Sequence, residues 1–373
     1  MTVVHPKYFR YAKQALFFAC IWLLFGIVYS LLEQGILGRA SHYPSTQNIY
    51  DFKSSLMYAS TGSFLIGLVH GWLEVSWLSQ KFHNRALWVK VVLKSGFYLI
   101  FMFLFLTFFT LAINSYRFDA SPLSKEVLDG FKSFFTTFSF WSVFIYIAFG
   151  LVTAMLFAEL SSYLGPNVFL NFLFGKYHRP KQETRIFMFL DMKSSTTIAE
   201  QIGHAKYFNL LKDCYADMGN PILECSGEIY QYVGDEIVLT WTERNGLYKN
   251  NCIRCFFEIS ATFQQKRSYY EATYGDVPVF KAGIHMGLVT TGEIGSLKKE
   301  IIYTGDVLNT TARIQAECNT YGKTILISER LVEKLSPAMD PYRASKIAKL
   351  QLRGKKELVQ LYTLNQSSNT NSI

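Results

Sequence analysis

Two aspartates stand where carboxylates can do metal chemistry. Asp191 closes a short apolar run, 185–190, that reads as a buried strand. Asp235 sits with Gly234 between two strand-like runs, 228–233 and 236–241, which read as a hairpin. If those strands are neighbours, both carboxylates meet at one sheet edge. Magnesium takes few protein ligands and keeps its other positions for phosphate and water, so a carboxylate pair beside phosphates suits it. Ser194, Ser195 and Thr196 follow the first strand and are helix-capping types. The amides of a helix-opening turn there make an anion site for phosphates. Two metals at such a place can activate an attacking hydroxyl and neutralise a leaving group. A lone Asp at a strand end is usually just solvated; the pair together with the phosphate turn is what points to chemistry.

The elements that position these groups alternate. A helical pattern runs to 223, interrupted at Gly203 and Pro221, and a second helix covers 247–270. Residues 279–285 and 288–294 read as another strand pair, 306–319 as a helix and 324–328 as a strand. Such an order predicts an α+β fold with one main sheet. The polar end, 365–373, reads as a disordered tail.

The first half of the chain is different in kind. Four apolar segments, 14–37, 56–79, 89–113 and 140–164, each approach the 20 residues that a bilayer core requires. The first is too long for a signal-peptide core. Lys7, Arg10 and Lys13, then Lys81, Arg85, Lys90 and Lys94, then Lys176, Arg179, Lys181 and Arg185 all fall on one side of a four-span layout. That side is the cytoplasmic one by the positive-inside rule. The expectation is a multi-pass protein of the cell (inner or plasma) membrane, with both termini and the soluble half in the cytoplasm. Its domains are a four-helix membrane domain over 1–165, a linker over 166–184, a soluble domain over 185–364 and the tail. The net charge of +9 is explained by these flanks, so no nucleic-acid partner is expected.

Within the spans, His70 and Glu74 lie four apart on one helix face. They make either a ligand or metal site, or a structural pair in which Glu74 meets Lys94 or snorkels to the interface. Glu33 and Glu159, near span ends, are expected to reach water. Cys252 and Cys255 form one CxxC with no second ligand pair, which reads as two reduced positions on a helix.

Five motifs in order give the soluble half a family likeness. They are Phe189-Leu190-Asp191-Met192-Lys193-Ser194-Ser195-Thr196, Val233-Gly234-Asp235-Glu236, Gly283-Ile284-His285-Met286-Gly287 with Gly292 and Gly295, Gly305-Asp306-Val307-Leu308-Asn309-Thr310-Thr311-Ala312-Arg313, and Leu352-Arg353-Gly354-Lys355. Over 185–364 the chain resembles the catalytic domain of class III adenylyl and guanylyl cyclases. The resemblance implies a ferredoxin-like sheet and a homodimer with two shared sites. It implies two Mg²⁺ or Mn²⁺ ions per site on Asp191 and Asp235, with the Met192 carbonyl as an extra ligand. Ser194, Ser195 and Thr196 would meet the phosphates, and Arg353 and Lys355 the triphosphate. Asn309 and Arg313, from the partner subunit, would orient the ribose and stabilise the transition state.

The base pocket departs from the family pattern. Gln231 stands where adenylyl cyclases commonly have Lys and guanylyl cyclases Glu. Ile302 stands where Asp, Thr or Cys is usual. A glutamine amide both donates and accepts, so it fits either purine. The resemblance favours ATP, because membrane cyclases of this layout mostly make cyclic AMP; GTP stays open. A diguanylate cyclase is a rival, but Val233 replaces the first of that signature's two glycines. A non-catalytic nucleotide sensor is another, although Asp191, Asp235 and Arg313 are all present.

Overall fold

The computed structural model describes residues 6–42, 49–78, 81, 85–335, 341–351 and 358–366. The chain divides into a helical unit over Tyr8–Leu173 and a mixed unit over Phe174–Ile373.

The helical unit contains α1 (Pro6–Leu37), α2 (Phe52–Leu73) running into a π turn (Glu74–Leu78), α3 (Leu87–Phe118), α4 (Lys125–Thr136), α5 (Phe138–Leu164) and α6 (Pro166–Leu173). Among the described residues three stretches are long and apolar enough to cross a membrane: Tyr11–Leu37, Leu87–Leu104 and Phe140–Tyr163. The expected second span does form α2 and its π turn, but it does not join those three. Its apolar run is diluted by Ser60, Thr61, Ser63, His70 and Glu74. Small residues set its packing. A Cβ on Gly67 would lie 2.7 Å from the Ala19 Cα, and one on Gly71 2.7 Å from the Ala15 Cα, so α1 and α2 touch backbone to backbone. Helix α5 stops at Gly165, at φ +87°, and Pro166 opens α6 where a missing N–H costs nothing.

Four charges inside this unit close on one another. Lys94 Nζ donates to Glu74 Oε1 at 2.5 Å and to Glu159 Oε1 at 2.6 Å, and Lys90 lies 3.7 Å from Glu159 Oε2. Tyr98 donates to Glu74 Oε2 at 3.2 Å. Glu74 is thus the structural pair of Lys94. Glu159 is buried and does not reach water, since the lysines of α3 reach it first. His70 accepts from Trp22 Nε1 at 3.0 Å and packs against the rings of Phe18 and Tyr98.

The mixed unit runs β1 (Lys181–Met192), α7 (Ser195–Ile202), α8 (His204–Glu224), β2 (Glu228–Val233), β3 (Glu236–Thr242), α9 (Glu243–Leu247), a 3₁₀ turn, α10 (Asn251–Gln265), α11 (Arg267–Tyr274), β4 (Phe280–Ile294), β5 (Glu300–Thr304), α12 (Asp306–Thr320), β6 (Ile325–Ser328), α13 (Glu329–Leu335), β7 (Tyr342–Gln351) and β8 (Leu358–Gln366). The strand order is β2-β3-β1-β4-β6-β8-β7, with β5 paired to β4. All pairs are antiparallel except β4 with β6. Strand β1 is buried on both faces, which explains its unbroken apolar run. Ile186, Met188 and Leu190 enter the main core with Leu210, Met218, Trp241 and Ile259. Phe187 and Phe189 face the other way, with Val238, Val289 and Val307.

Three expectations about elements need correction. Strand β1 begins at Lys181 rather than 185, because Gln182, Glu183 and Thr184 already pair with β4. The helix expected over 247–270 is broken into α10 and α11 around Lys266. The expected strand pair 279–285 and 288–294 is one 15-residue strand, β4, and its hairpin partner is β5. Gly287 lies within that strand at a close approach: a Cβ there would fall 2.4 Å from Val307 Cγ2 of α12. The expected tail from 365 lies mostly outside the described residues; β8 runs to Gln366.

Candidate active site

Antiparallel pairing of β1 with β3 sets Asp191 directly opposite Glu236. Opposed residues of a pair share a face, so both carboxyls point to one side at the end of the central strands. Val233 pairs with Glu236, leaving Gly234 and Asp235 as a two-residue hairpin turn. Gly234 takes φ +62°, the left-handed conformation that the first position of such a turn favours. Tyr215 of α8 donates to the Gly234 carbonyl at 2.9 Å, and its ring packs 4.6 Å from that of Tyr232. The hairpin tip carrying Asp235 is therefore tethered to a helix.

The electrostatics show that the carboxyls crowd. Burial, then the nearby Asp235, push the Asp191 carboxyl above the ordinary aspartate range. Lys281 Nζ, 3.9 Å away, and the Gln315 amide, which donates to Asp191 Oδ2 at 3.1 Å, oppose that rise without cancelling it. Glu236 is pushed up to about 7 by burial, then by Asp191 and Asp235. Crowded, part-buried carboxylates that hold protons so tightly are the donor set that a hard divalent cation replaces protons on. Among the described residues no group of three or more His, Cys, Asp or Glu side chains is arranged to hold a metal alone.

The structure places Ser194, Ser195 and Thr196 at the opening of a helix. Helix α7 opens at Ser195, preceded by Ser194 at φ 57°. Ser194 stands at the cap position but makes no side-chain cap bond, because its left-handed backbone does not aim the hydroxyl at the first turn. The Met192 carbonyl belongs to the last residue of β1, beside Asp191. Tyr207 of α8 shares a hydrogen bond with the Ser195 side chain, and burial followed by Asp235 raises its phenol above the usual range.

Helix α12 carries Asn309, exposed, and Arg313, half-buried, four residues apart on one face. Gln231 is exposed on the edge strand β2, and Ile302 is half-buried on β5 opposite Gly292. Their strands meet through neighbouring tyrosines, Tyr230 and Tyr303, with rings 4.9 Å apart. A buried arginine anchors that meeting. Arg185 donates to Tyr303 Oη at 2.7 Å, Glu228 Oε2 at 2.5 Å, Glu183 Oε1 at 3.1 Å and Thr240 Oγ1 at 3.1 Å. It thereby links β1, β2, β3 and β5. Arg353 and Lys355 lie outside the described residues. Cys252 and Cys255 are buried core positions of α10, and burial pushes the Cys252 thiol up to about 12.

Reading the sequence alone missed Glu236, Lys281, Gln315, Tyr207, Tyr215 and Arg185. Glu236 carried a signal, since it follows Asp235 within one motif. The others depend on strand register or helix packing.

The arrangement has known counterparts. The family model of the adenylate and guanylate cyclase catalytic domain matches residues 177–366, half of the chain. "Adenylate cyclase 2" of Rhizobium meliloti (strain 1021) is 36% identical over 205 residues, 55% of this chain and 56% of that protein. An adenylate cyclase of Anabaena cylindrica is 28% identical over 179 residues, 47% of this chain and 35% of that one. This chain thus aligns with about half of the first relative's length and about a third of the second's. A solved bacterial light-regulated adenylyl cyclase is similar over 57% of this chain and 61% of its own, at 20% identity and TM-score 0.49. With two carboxylates at one sheet edge and the matching domain running through every strand of that sheet, the chain belongs to the class III adenylate and guanylate cyclase family.

Proposed function

We propose that the protein is a membrane-anchored adenylate cyclase that converts ATP to 3′,5′-cyclic AMP and pyrophosphate in a homodimer. The observation that carries the reading is the crowding of Asp191 and Asp235 at the sheet edge beside the opening of α7. Bound there, two Mg²⁺ or Mn²⁺ ions supply positive charge that lowers the proton affinity of the ribose 3′-hydroxyl and neutralises the leaving pyrophosphate. Asp191 and Asp235 hold that charge in place, with the Met192 carbonyl beside them. The amides that open α7 at Ser194, Ser195 and Thr196 face the phosphates. Arg353 and Lys355 take the triphosphate. Asn309 of the other chain orients the ribose. Arg313 of the other chain stabilises the charge that grows on the α-phosphoryl oxygens as the 3′-oxygen attacks in line.

Both half-sites occur in one chain, so two copies related by a two-fold axis complete two sites. Gln231 and Ile302 form the purine pocket. The adenine preference is supported by the two relatives named adenylate cyclase. The membrane reading takes α2 as a fourth span beside the three apolar helices, which puts the basic clusters and the cyclase domain in the cytoplasm.

The test is turnover by the full-length protein in membranes, with ATP and GTP supplied separately and the products identified by mass. Cyclic AMP from ATP is expected. Cyclic GMP alone would overturn the adenine preference while keeping the chemistry. Nucleotide binding without any cyclic product would overturn the enzyme reading.

A further inference from the structure

Helix α12 serves two directions. At 100° per residue, Gln315 lies about 160° around the helix from Arg313. Arg313 is half-buried and Asn309 exposed, whereas Gln315 is buried against the sheet. Gly283 makes that contact possible: a Cβ there would fall 2.4 Å from the Gln315 backbone N and 2.7 Å from its Cα. The helix is pressed onto β4 at this point, and the Gln315 amide reaches Asp191 Oδ2 at 3.1 Å. Lys281 approaches the same oxygen at 3.9 Å and is itself held by Asn319, at 2.6 Å, one turn further along α12.

Resting on the function proposed above, we infer that Gln315 is a positioning residue: it fixes the Asp191 carboxylate of its own chain while Asn309 and Arg313 of the same helix serve the other chain's site. A buried amide with one hydrogen bond to a metal-binding carboxylate limits its rotation and so strengthens its grip on the ion. One helix then touches both sites of the dimer.

The test uses the full-length protein and the variant Gln315→Leu, which keeps the side-chain bulk and removes the amide. Mn²⁺ binding is read from loss of the free-ion electron paramagnetic resonance signal, in the presence of an ATP analogue that cannot cyclise. The affinity is expected to weaken about ten-fold. An unchanged affinity overturns the inference. If Gln315→Leu fails to fold, Gln315→Asn, which withdraws the amide by one methylene, is judged by the same criterion.

Mixed dimers then separate the directions. A Gln315→Leu chain paired with an Arg313→Ala chain has one complete site, built from an unaltered Asp191–Gln315 pair and an unaltered Arg313. That site is expected to show the wild-type Mn²⁺ requirement. A raised requirement there would mean that Gln315 acts through α12 on the other chain's site, against the inference. The control is Asp191→Ala paired with Arg313→Ala. No recovery in that mixture would fail the shared-site reading itself, leaving the inference about Gln315 and Asp191 to stand or fall on the Mn²⁺ affinity.

Discussion

Two charge clusters, one in each unit of this protein, are arranged in opposite ways. In the helical unit, Glu74, Lys94, Glu159 and Lys90 form a chain in which each acid meets a lysine. In the cyclase unit, Asp191, Asp235 and Glu236 are brought together, and among the described residues Lys281 is the cation that approaches, 3.9 Å from Asp191. The first arrangement is closed by the protein's own side chains, and its role is to hold helices together. On the function proposed above, the second is completed by cations from outside, and its crowding readies it for them. A part-buried crowd of like charges points to function, whereas a closed chain of ion pairs points to packing.

Breaking each arrangement should have opposite consequences. The largest effect is expected from Asp235→Ala, which should lower cyclic nucleotide formation at least about a thousand-fold, the scale of losing a group that organises transition-state charge. The folded state should survive, because the change relieves repulsion; product mass and a thermal melt check both halves. Lys94→Met should do the reverse in the helical unit. It strands Glu74 and Glu159 without their shared cation, and removal of one partner from a buried pair costs about 3–5 kcal/mol. Denaturation of the detergent-solubilised protein should show that loss; an unchanged midpoint would mean that the chain of ion pairs is not closed as described.

A smaller effect, of about 1–3 kcal/mol, is expected from Gly287→Ala, whose methyl would overpack Val307. Val307→Ala should restore much of it, measured as a double-mutant cycle on urea unfolding. The smallest is a pH effect. Glu236 has a folded-state value of about 7, above that of an unfolded glutamate. Its contribution to stability is full below the unfolded value and is lost as pH rises through about 7. In chelator, the melting temperature should therefore fall between about pH 4.5 and pH 7, and Glu236→Gln should flatten that fall. An identical slope in the variant would remove Glu236 from the crowded site.

Much of this organisation was visible in residue types and spacing, and what was not has physical causes. Asp191 and Asp235 could be found because each ends or turns a strand with a clear apolar pattern. Glu236 follows Asp235 in the motif, but its place opposite Asp191 comes from the register of β1 on β3, and Gln315 reaches Asp191 only through the seating of α12 on β4. The need for Gly287 was hidden for a related reason: only the seating of Val307 of α12 on β4 excludes a side chain there. Glu159 was expected in water because span ends are usually wet; the lysines that bury it come from α3, 65 and 69 residues earlier. The base pocket stayed open because Gln231 and Ile302 carry no charge to choose between purines.

The measurement closest to the central claim is the stoichiometry of Mn²⁺ bound by the full-length protein with a non-cyclisable ATP analogue. Two ions per site are expected in the wild type, and their loss in Asp235→Ala, with the analogue still bound. Equal Mn²⁺ binding in the wild type and in Asp235→Ala would contradict it, because the carboxylates at the sheet edge would then not be the groups that the cations complete.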